Sequence, residues 1–267
     1  MRIDVRGLTF EVDAKGPADG PPVLLLHGFP QDSREWDGIT GGLHDAGLRT
    51  FALDQRGYSP GARPDGKRAY RMAECVADVV AVLDALGLPD AHVVGHDWGA
   101  VVAWQVAARH PDRVRTLTAV SVPHPVAYAT SVKRDVAQTL KSAYMLFFRT
   151  PWLPERLLSA RGGALLRRIA GGHPTTEPDN LTGALNWYRA ISGHDLKGLG
   201  PVTVPTTFVW SDRDVAISGH AARRCAGFVT GDFRFVTLRG VSHWIPDEAP
   251  GPLLEAVLER VSRRPPP

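Results

Sequence analysis

Six short apolar runs recur along the chain, each bounded by turn-forming residues. They are Val23–Gly28 (VLLLHG), Arg49–Asp54 (RTFALD), Ala91–His96 (AHVVGH), Val114–Val120 (VRTLTAV), Thr206–Ser211 (TTFVWS) and Phe233–Leu238 (FRFVTL). In runs such as VLLLHG successive positions are apolar, so both faces of the strand need cover, as in a parallel sheet packed between helices. Ahead of them, residues 3–14 (IDVRGLTFEVDA) alternate in polarity and predict an antiparallel hairpin at the sheet edge. Helical spacing fills the gaps. Met72–Gly87 repeats apolar residues at helical intervals and closes on Gly87, Trp98–Pro111 stops at a proline, and Pro250–Arg264 forms a last helix. The alternation predicts an α/β fold, a doubly wound and mostly parallel sheet. From 123 to 200 the strand pattern disappears, and apolar helical segments such as SAYMLFFRTPWLPERLL and NLTGALNWYRAISG take over. The expected organisation is therefore a core domain of residues 1–122 and 201–267, with a helical cap (lid) domain of residues 123–200. That cap would lie over the strand C-terminal ends, where open α/β sheets place their sites.

The bulk numbers narrow the class. A chain of 267 residues is long enough for one large core plus an insertion. With 43% hydrophobic and 22% charged residues it falls among ordinary globular proteins. The net charge of +3 includes no dense basic run, so a nucleic-acid partner is not expected. Cys75 and Cys225 fall in helical segments and form no C-x-x-C pair, so neither a metal site, a redox role nor a disulfide is expected. The first residues contain no signal-peptide apolar region, and no apolar stretch reaches the ~18 residues of a membrane span. A cytoplasmic protein without a membrane partner, monomer or homodimer, is the expectation. The terminal RRPPP (263–267) is expected to be disordered.

The candidate chemistry begins at GHDWGA, which follows one predicted strand and opens a helix. The pattern Gly-x-nucleophile-x-Gly in that context is a nucleophile elbow. Gly95 and Gly99 permit the tight turn, Asp97 is displayed, and the Trp98 N–H at the helix start can donate to an oxyanion. A plain N-cap would also account for an aspartate here, but a cap does not need glycine on both sides. The loop HGFP (His27–Pro30) after an earlier strand can supply a second oxyanion N–H, from Phe29. WSDRDVAI ends a late strand with two carboxylates, Asp212 and Asp214, and GVSHWIPDEAP brings His243 after the last strand. The chain order nucleophile, acid, histidine belongs to α/β-hydrolases. His243 is then the general base and one aspartate orients it. His110, His173, His194 and His220 read as solvated.

HGFP, DQRGYSPGARP, GHDWGA, WSDRDVAI and GVSHWIPDEAP together span nearly all of the core. On these motifs the chain resembles α/β-hydrolases of the epoxide hydrolase and haloalkane dehalogenase branch, most of all the soluble-type epoxide hydrolases. The resemblance favours Asp214 over Asp212 as the acid. SVPHP, after the strand ending at Val120, has no carboxylate for the alternative acid position of some dehalogenases. The resemblance also implies two tyrosines in the inserted segment that bind the epoxide oxygen: Tyr188 in ALNWYRA and Tyr144 in SAYMLFFRTP. Tyr144, beside Phe147 and Phe148, also reads as core packing. His27, Pro30, Phe148, Trp187 and Trp244 are expected to complete the substrate pocket.

An aspartate nucleophile suits attack on saturated carbon, leaving an alkyl ester on the enzyme that activated water hydrolyses. An epoxide needs a proton donor for its leaving oxygen, and a phenol can supply one. A halide needs indole or amide N–H groups. The expected activity is opening of a small, hydrophobic epoxide to a vicinal diol, with no metal or organic cofactor. The alternative is a haloalkane dehalogenase on the same Asp–His–Asp set, with Trp152 or Trp187 as the second halide donor. A fluoroacetate-type dehalogenase would carry arginine in place of Trp98. A serine esterase lacks its serine, and a non-catalytic binding module would not need the complete triad.

Overall fold

The computed structural model describes residues 1–173 and 181–263. From residue 264 onward the proline-rich end expected to be disordered lies outside the described residues. Eight strands, β1 (Arg2–Val5), β2 (Leu8–Lys15), β3 (Pro22–Leu26), β4 (Arg49–Leu53), β5 (Ala91–His96), β6 (Val114–Val120), β7 (Thr206–Ser211) and β8 (Phe233–Leu238), form one sheet. Their order is β1-β2-β4-β3-β5-β6-β7-β8. The hairpin β1–β2 is antiparallel and joins β4 antiparallel. The six apolar runs all pair in parallel.

Among the described residues the α-helices are α1 (Asp37–Asp45), α2 (Met72–Ala85), α3 (Trp98–Arg109), five inserted helices, and α9 (Gly219–Arg224), α10 (Ile245–Glu248) and α11 (Pro250–Ser262). The inserted ones, between β6 and β7, are α4 (Pro125–Arg134), α5 (Val136–Lys141), α6 (Tyr144–Phe148), α7 (Leu153–Ile169) and α8 (Leu181–Ala190). Alternate β3 residues separate onto the two faces. Val23 and Leu25 pack with Ile39 and Leu43 of α1 and Leu253 of α11. Leu24 and Leu26 join Val79 and Val82 of α2 and Val102 of α3. That double burial explains why these strands are apolar throughout.

Two local differences from the sequence pattern have clear causes. The apolar segment around Tyr144 reads as continuous helix, yet α6 ends at Phe148 and α7 starts at Leu153. Pro151 disfavours helix at the residue before it, and Trp152 sits at φ 53°. Helix α1 contains Gly41 and Gly42, poor helix formers, and carries no strong sequence signal. Tertiary packing demands it: a Cβ on Gly42 would fall 2.2 Å from Leu254 of α11. No helix among the described residues is long and apolar enough to cross a membrane.

Candidate active site

Strand β5 ends in a forced turn. Asp97 has φ 47°, ψ −115°, a conformation few non-glycine residues adopt. A Cβ on Gly95 would lie 2.4 Å from the Gly99 carbonyl oxygen, and one on Gly99 would lie 1.9 Å from the Leu26 carbonyl oxygen. The two glycines let α3 leave the sheet at once and pass against the end of β3. The Asp97 side chain does not cap α3, so the N-cap reading fails.

The loop after β3 closes on Asp97 from the other side. A Cβ on Gly28 would come within 2.5 Å of the Asp97 Cβ. The Phe29 N–H donates to Asp97 Oδ1 at 3.0 Å. The Trp98 N–H, at the first position of α3, belongs to the N–H groups that have no intrahelical carbonyl. His243 sits between two carboxylates: its Nδ1 donates to Asp214 Oδ2 at 2.9 Å, and its Nε2 lies 3.4 Å from Asp97 Oδ2. Asp214 Oδ1 accepts the N–H groups of Ala216 (2.7 Å) and Ile217 (2.8 Å), which fix the carboxylate. Asp212 is exposed and accepts the Gly240 N–H instead, away from His243.

Electrostatics follow from this packing. Burial disfavours a charged His243, but the Asp214 carboxylate, aided by Asp97, outweighs it and lifts the imidazole to about 10. Burial also opposes ionisation of Asp97, yet the His243 contact holds that carboxyl below its usual range. Tyr144 and Tyr188 are both pushed well above 10, first by burial and then by neighbouring charge, so both phenols keep their protons. Their rings meet at 6.2 Å.

A cavity of about 530 Å³ has Asp97, Trp98, Tyr144 and Tyr188 on its wall, with apolar Val101, Met145 and Ile217. Tyr144 keeps 38% of its surface open, so it is not core packing. A wider groove of about 1020 Å³ against α2 touches none of the reactive groups and is not the site.

The five expected pocket residues are buried but do not line this cavity. His27 Nδ1 donates to the Gly28 carbonyl at 3.1 Å, and its Nε2 accepts the Gln55 N–H at 3.1 Å. Pro30 follows Phe29 in the same buried loop. Phe148 packs on Phe29 at 5.2 Å and Tyr188 at 5.0 Å. The Trp187 indole donates to the Arg56 carbonyl at 2.8 Å, because adjacent helix residues point about 100° apart and Tyr188 takes the cavity side. Trp244 stands edge-on to His243 at 5.1 Å. Phe148, Trp187 and Trp244 thus pack against Tyr188, Trp98 and His243.

Sequence reasoning missed a buried pair beneath the Phe29 loop. Glu35 Oε2 lies 3.3 Å from His96 Nδ1 and accepts the Gly28 N–H at 3.3 Å. His96 Nε2 and the Ser121 hydroxyl both meet the His243 carbonyl, at 3.0 and 2.8 Å. A histidine ending an apolar strand beside the elbow was the available signal for His96; Glu35 had none. Tyr128, on the cavity wall, was also missed; its hydroxyl meets Ser142 at 2.8 Å. No cluster of three metal-ligating side chains occurs among the described residues.

The elbow on β5, the donor loop after β3 and a histidine paired with an aspartate after β7 define an α/β-hydrolase architecture. The family model described as alpha/beta hydrolase fold matches residues 21–250, and the chain belongs to that family, on its epoxide hydrolase branch. The chain is 33% identical to the AB hydrolase superfamily protein YfhM of Bacillus subtilis, across 96% of both chains. It is 30% identical to Epoxide hydrolase A of Mycobacterium tuberculosis, across 96% of this chain and 95% of the relative. Among solved structures, Epoxide Hydrolase A of Mycobacterium thermoresistibile superposes with a TM-score of 0.85 at 27% identity, covering 98% and 97% of the two chains.

Gly99→Ala drives a methyl group into the Leu26 carbonyl and should cost about 1–3 kcal/mol, read as a lower denaturant midpoint; an unchanged midpoint would refute the close approach. His243 titrates higher folded than unfolded, so its ion pairs stabilise fully below its ordinary 6.5 and fade as pH rises through about 10. Thermal melts should show a midpoint falling across that window, with a shallower fall in His243→Gln. Equal slopes in the two proteins would contradict the assignment.

Proposed function

We propose that the protein opens an epoxide to a vicinal diol through a covalent ester on Asp97. The observation that carries this reading is the placement of two neutral phenols, Tyr144 and Tyr188, on the same cavity wall as the Asp97 carboxylate. Asp97 Oδ2, the oxygen not held by the Phe29 N–H, attacks an epoxide carbon. The C–O bond of the ring breaks as the ester bond forms. The departing oxygen is held by the phenol hydroxyls and takes a proton from one of them.

Esterification removes the negative charge 3.4 Å from His243 Nε2. The imidazolium loses one of its two stabilising anions and gives its proton to the tyrosinate left by ring opening, which leaves His243 neutral and basic. His243 then takes a proton from water as that water adds to the ester carbonyl, while Asp214 keeps the ring oriented. The tetrahedral oxyanion is held by the N–H groups of Phe29 and Trp98, and one such donor is worth about 3 kcal/mol. Collapse restores a carboxylate on Asp97 and releases the diol, whose new hydroxyl oxygen came from Asp97. His243 keeps the proton taken from water and is again the imidazolium beside the restored Asp97 carboxylate, as in the resting site. Helices α4 to α8 serve as the cap, and the apolar wall suits a hydrophobic small molecule. The site residues argue against halide release: the Trp187 N–H is committed to the Arg56 carbonyl, and Trp152 is 67% exposed and off the cavity wall.

Asp97→Ala should abolish diol formation from any accepted epoxide, and full turnover would refute the nucleophile. His243→Gln should accumulate an adduct whose intact mass exceeds the free protein by the substrate mass; no adduct on an accepted epoxide would rule out the two-step scheme. Tyr144→Phe with Tyr188→Phe should slow ring opening by about 10²–10⁴-fold in single turnovers, with each single variant affected less. A double variant at the parent rate would remove the phenols from the mechanism.

A further inference from the structure

The inserted segment has an unusual surface. Among the described residues, eight of the eleven large hydrophobic side chains that stand exposed lie between Val136 and Ile169. The most open are Val136 (75%), Leu140 (70%), Leu146 (72%) and Trp152 (67%). Val136 and Leu140 are one helical turn apart on α5 and share a face. Leu140, Leu146, Arg149 and Trp152 follow along a short stretch of chain that turns over twice. Isolated exposed leucines need no explanation, but a concentration of this kind marks an interaction surface.

Charge accompanies it. Residues 123–200 contain ten Lys and Arg against five Asp and Glu, a net +5, whereas the whole chain is only +3. The rest of the protein is therefore −2. Asp135 and Glu155 are drawn into structural contacts: Asp135 accepts the Ser218 hydroxyl, and Glu155 pairs with Arg189. Lys133, Arg134, Arg149, Arg156 and Arg168 all stand exposed in the same inserted segment as the apolar side chains. Lys133, Leu146 and Arg149 also lie on the wall of the Asp97 cavity, so the same surface borders it.

We propose that this face docks on an anionic lipid surface, with the hydrophobic side chains in the headgroup–acyl boundary and the cations against the headgroups. Exposed apolar residues interleaved with lysine and arginine, with a tryptophan among them, are the composition of interfacial membrane contact. The charge excludes the other obvious occupant: two copies meeting through this face would bring two positive surfaces together. The chain does not span the bilayer; it rests on it. On the proposed reading of the activity, the cavity mouth would then face the phase in which an apolar epoxide concentrates.

The experiment is vesicle co-sedimentation of the full chain, which reads binding whether or not the proposed reaction is correct. Vesicles of phosphatidylcholine alone are compared with vesicles of equal parts phosphatidylcholine and phosphatidylglycerol. The protein should pellet with the anionic vesicles, stay in the supernatant with the neutral ones, and be released near molar salt, where screening acts within about 3 Å. Leu140→Ser with Trp152→Ser should lower the pelleted fraction several-fold, as should Arg156→Glu with Arg168→Glu. None of these four residues lies on the Asp97 cavity wall, so an unchanged thermal midpoint confirms that the variants are folded. Failure of the parent protein to pellet, equal pelleting by the variants, or a dimer in sedimentation equilibrium that the serine variants abolish would each overturn the proposal.

Discussion

Everything at the reactive centre depends on the backbone of Asp97 being held at positive φ. A single residue in such a conformation costs of order 1–3 kcal/mol and persists only if its surroundings over-determine it. Here three contacts do so. The end of β3 leaves no room for a Cβ on Gly99, Asp97 itself leaves none on Gly28, and the Asp97 N–H is tied to the Val120 carbonyl at 3.3 Å. The strain has a return: the carboxylate points away from α3 and into the cavity, between an N–H donor and an imidazole.

The second constraint is that His243 faces two anions but can satisfy both only while both are charged. Buried ion pairs of this kind do little for stability by themselves, because desolvation offsets much of the attraction. Their value lies in dependence on state. Loss of charge on Asp97 would by itself weaken the hold of His243 on its proton. The carbonyl of His243, gripped by Ser121 and His96, keeps the ring in position while that change occurs. The Glu35–His96 pair thus links the loop that carries the Phe29 donor to the loop that carries the histidine.

Much of this was legible in the chain. The parallel strands showed because burial on both faces leaves a short apolar run, and the elbow showed because its glycines have no substitute. The chain order pointed to Asp97 and His243 but left Asp212 and Asp214 both open; the resemblance preferred Asp214, and it is Asp214 that meets His243. The pocket lining did not show. Trp187 and Tyr188 are neighbours, and only the rotation of α8 decides which faces the cavity. Phe148 and Trp244 were recognisable as aromatic but not as supports. Glu35 sits in a short segment with no periodic pattern, and its partner is 61 residues away. Helix α1 was hidden by its glycines, of which Gly42 lies close against Leu254 of α11.

The Trp187 indole has a consequence for how the two parts of the molecule can be exchanged. Its N–H ends on the Arg56 carbonyl, and the Arg56 guanidinium is clamped by buried Asp78, which also holds Arg6 from the first hairpin. The inserted helices are thereby moored to the far edge of the sheet and not only to the strands they interrupt. A helical segment borrowed from a relative and spliced between β6 and β7 inherits that mooring only if it brings a donor to the same carbonyl. Recombination of this architecture must therefore preserve a hydrogen bond whose acceptor, at Arg56, lies outside the exchanged segment.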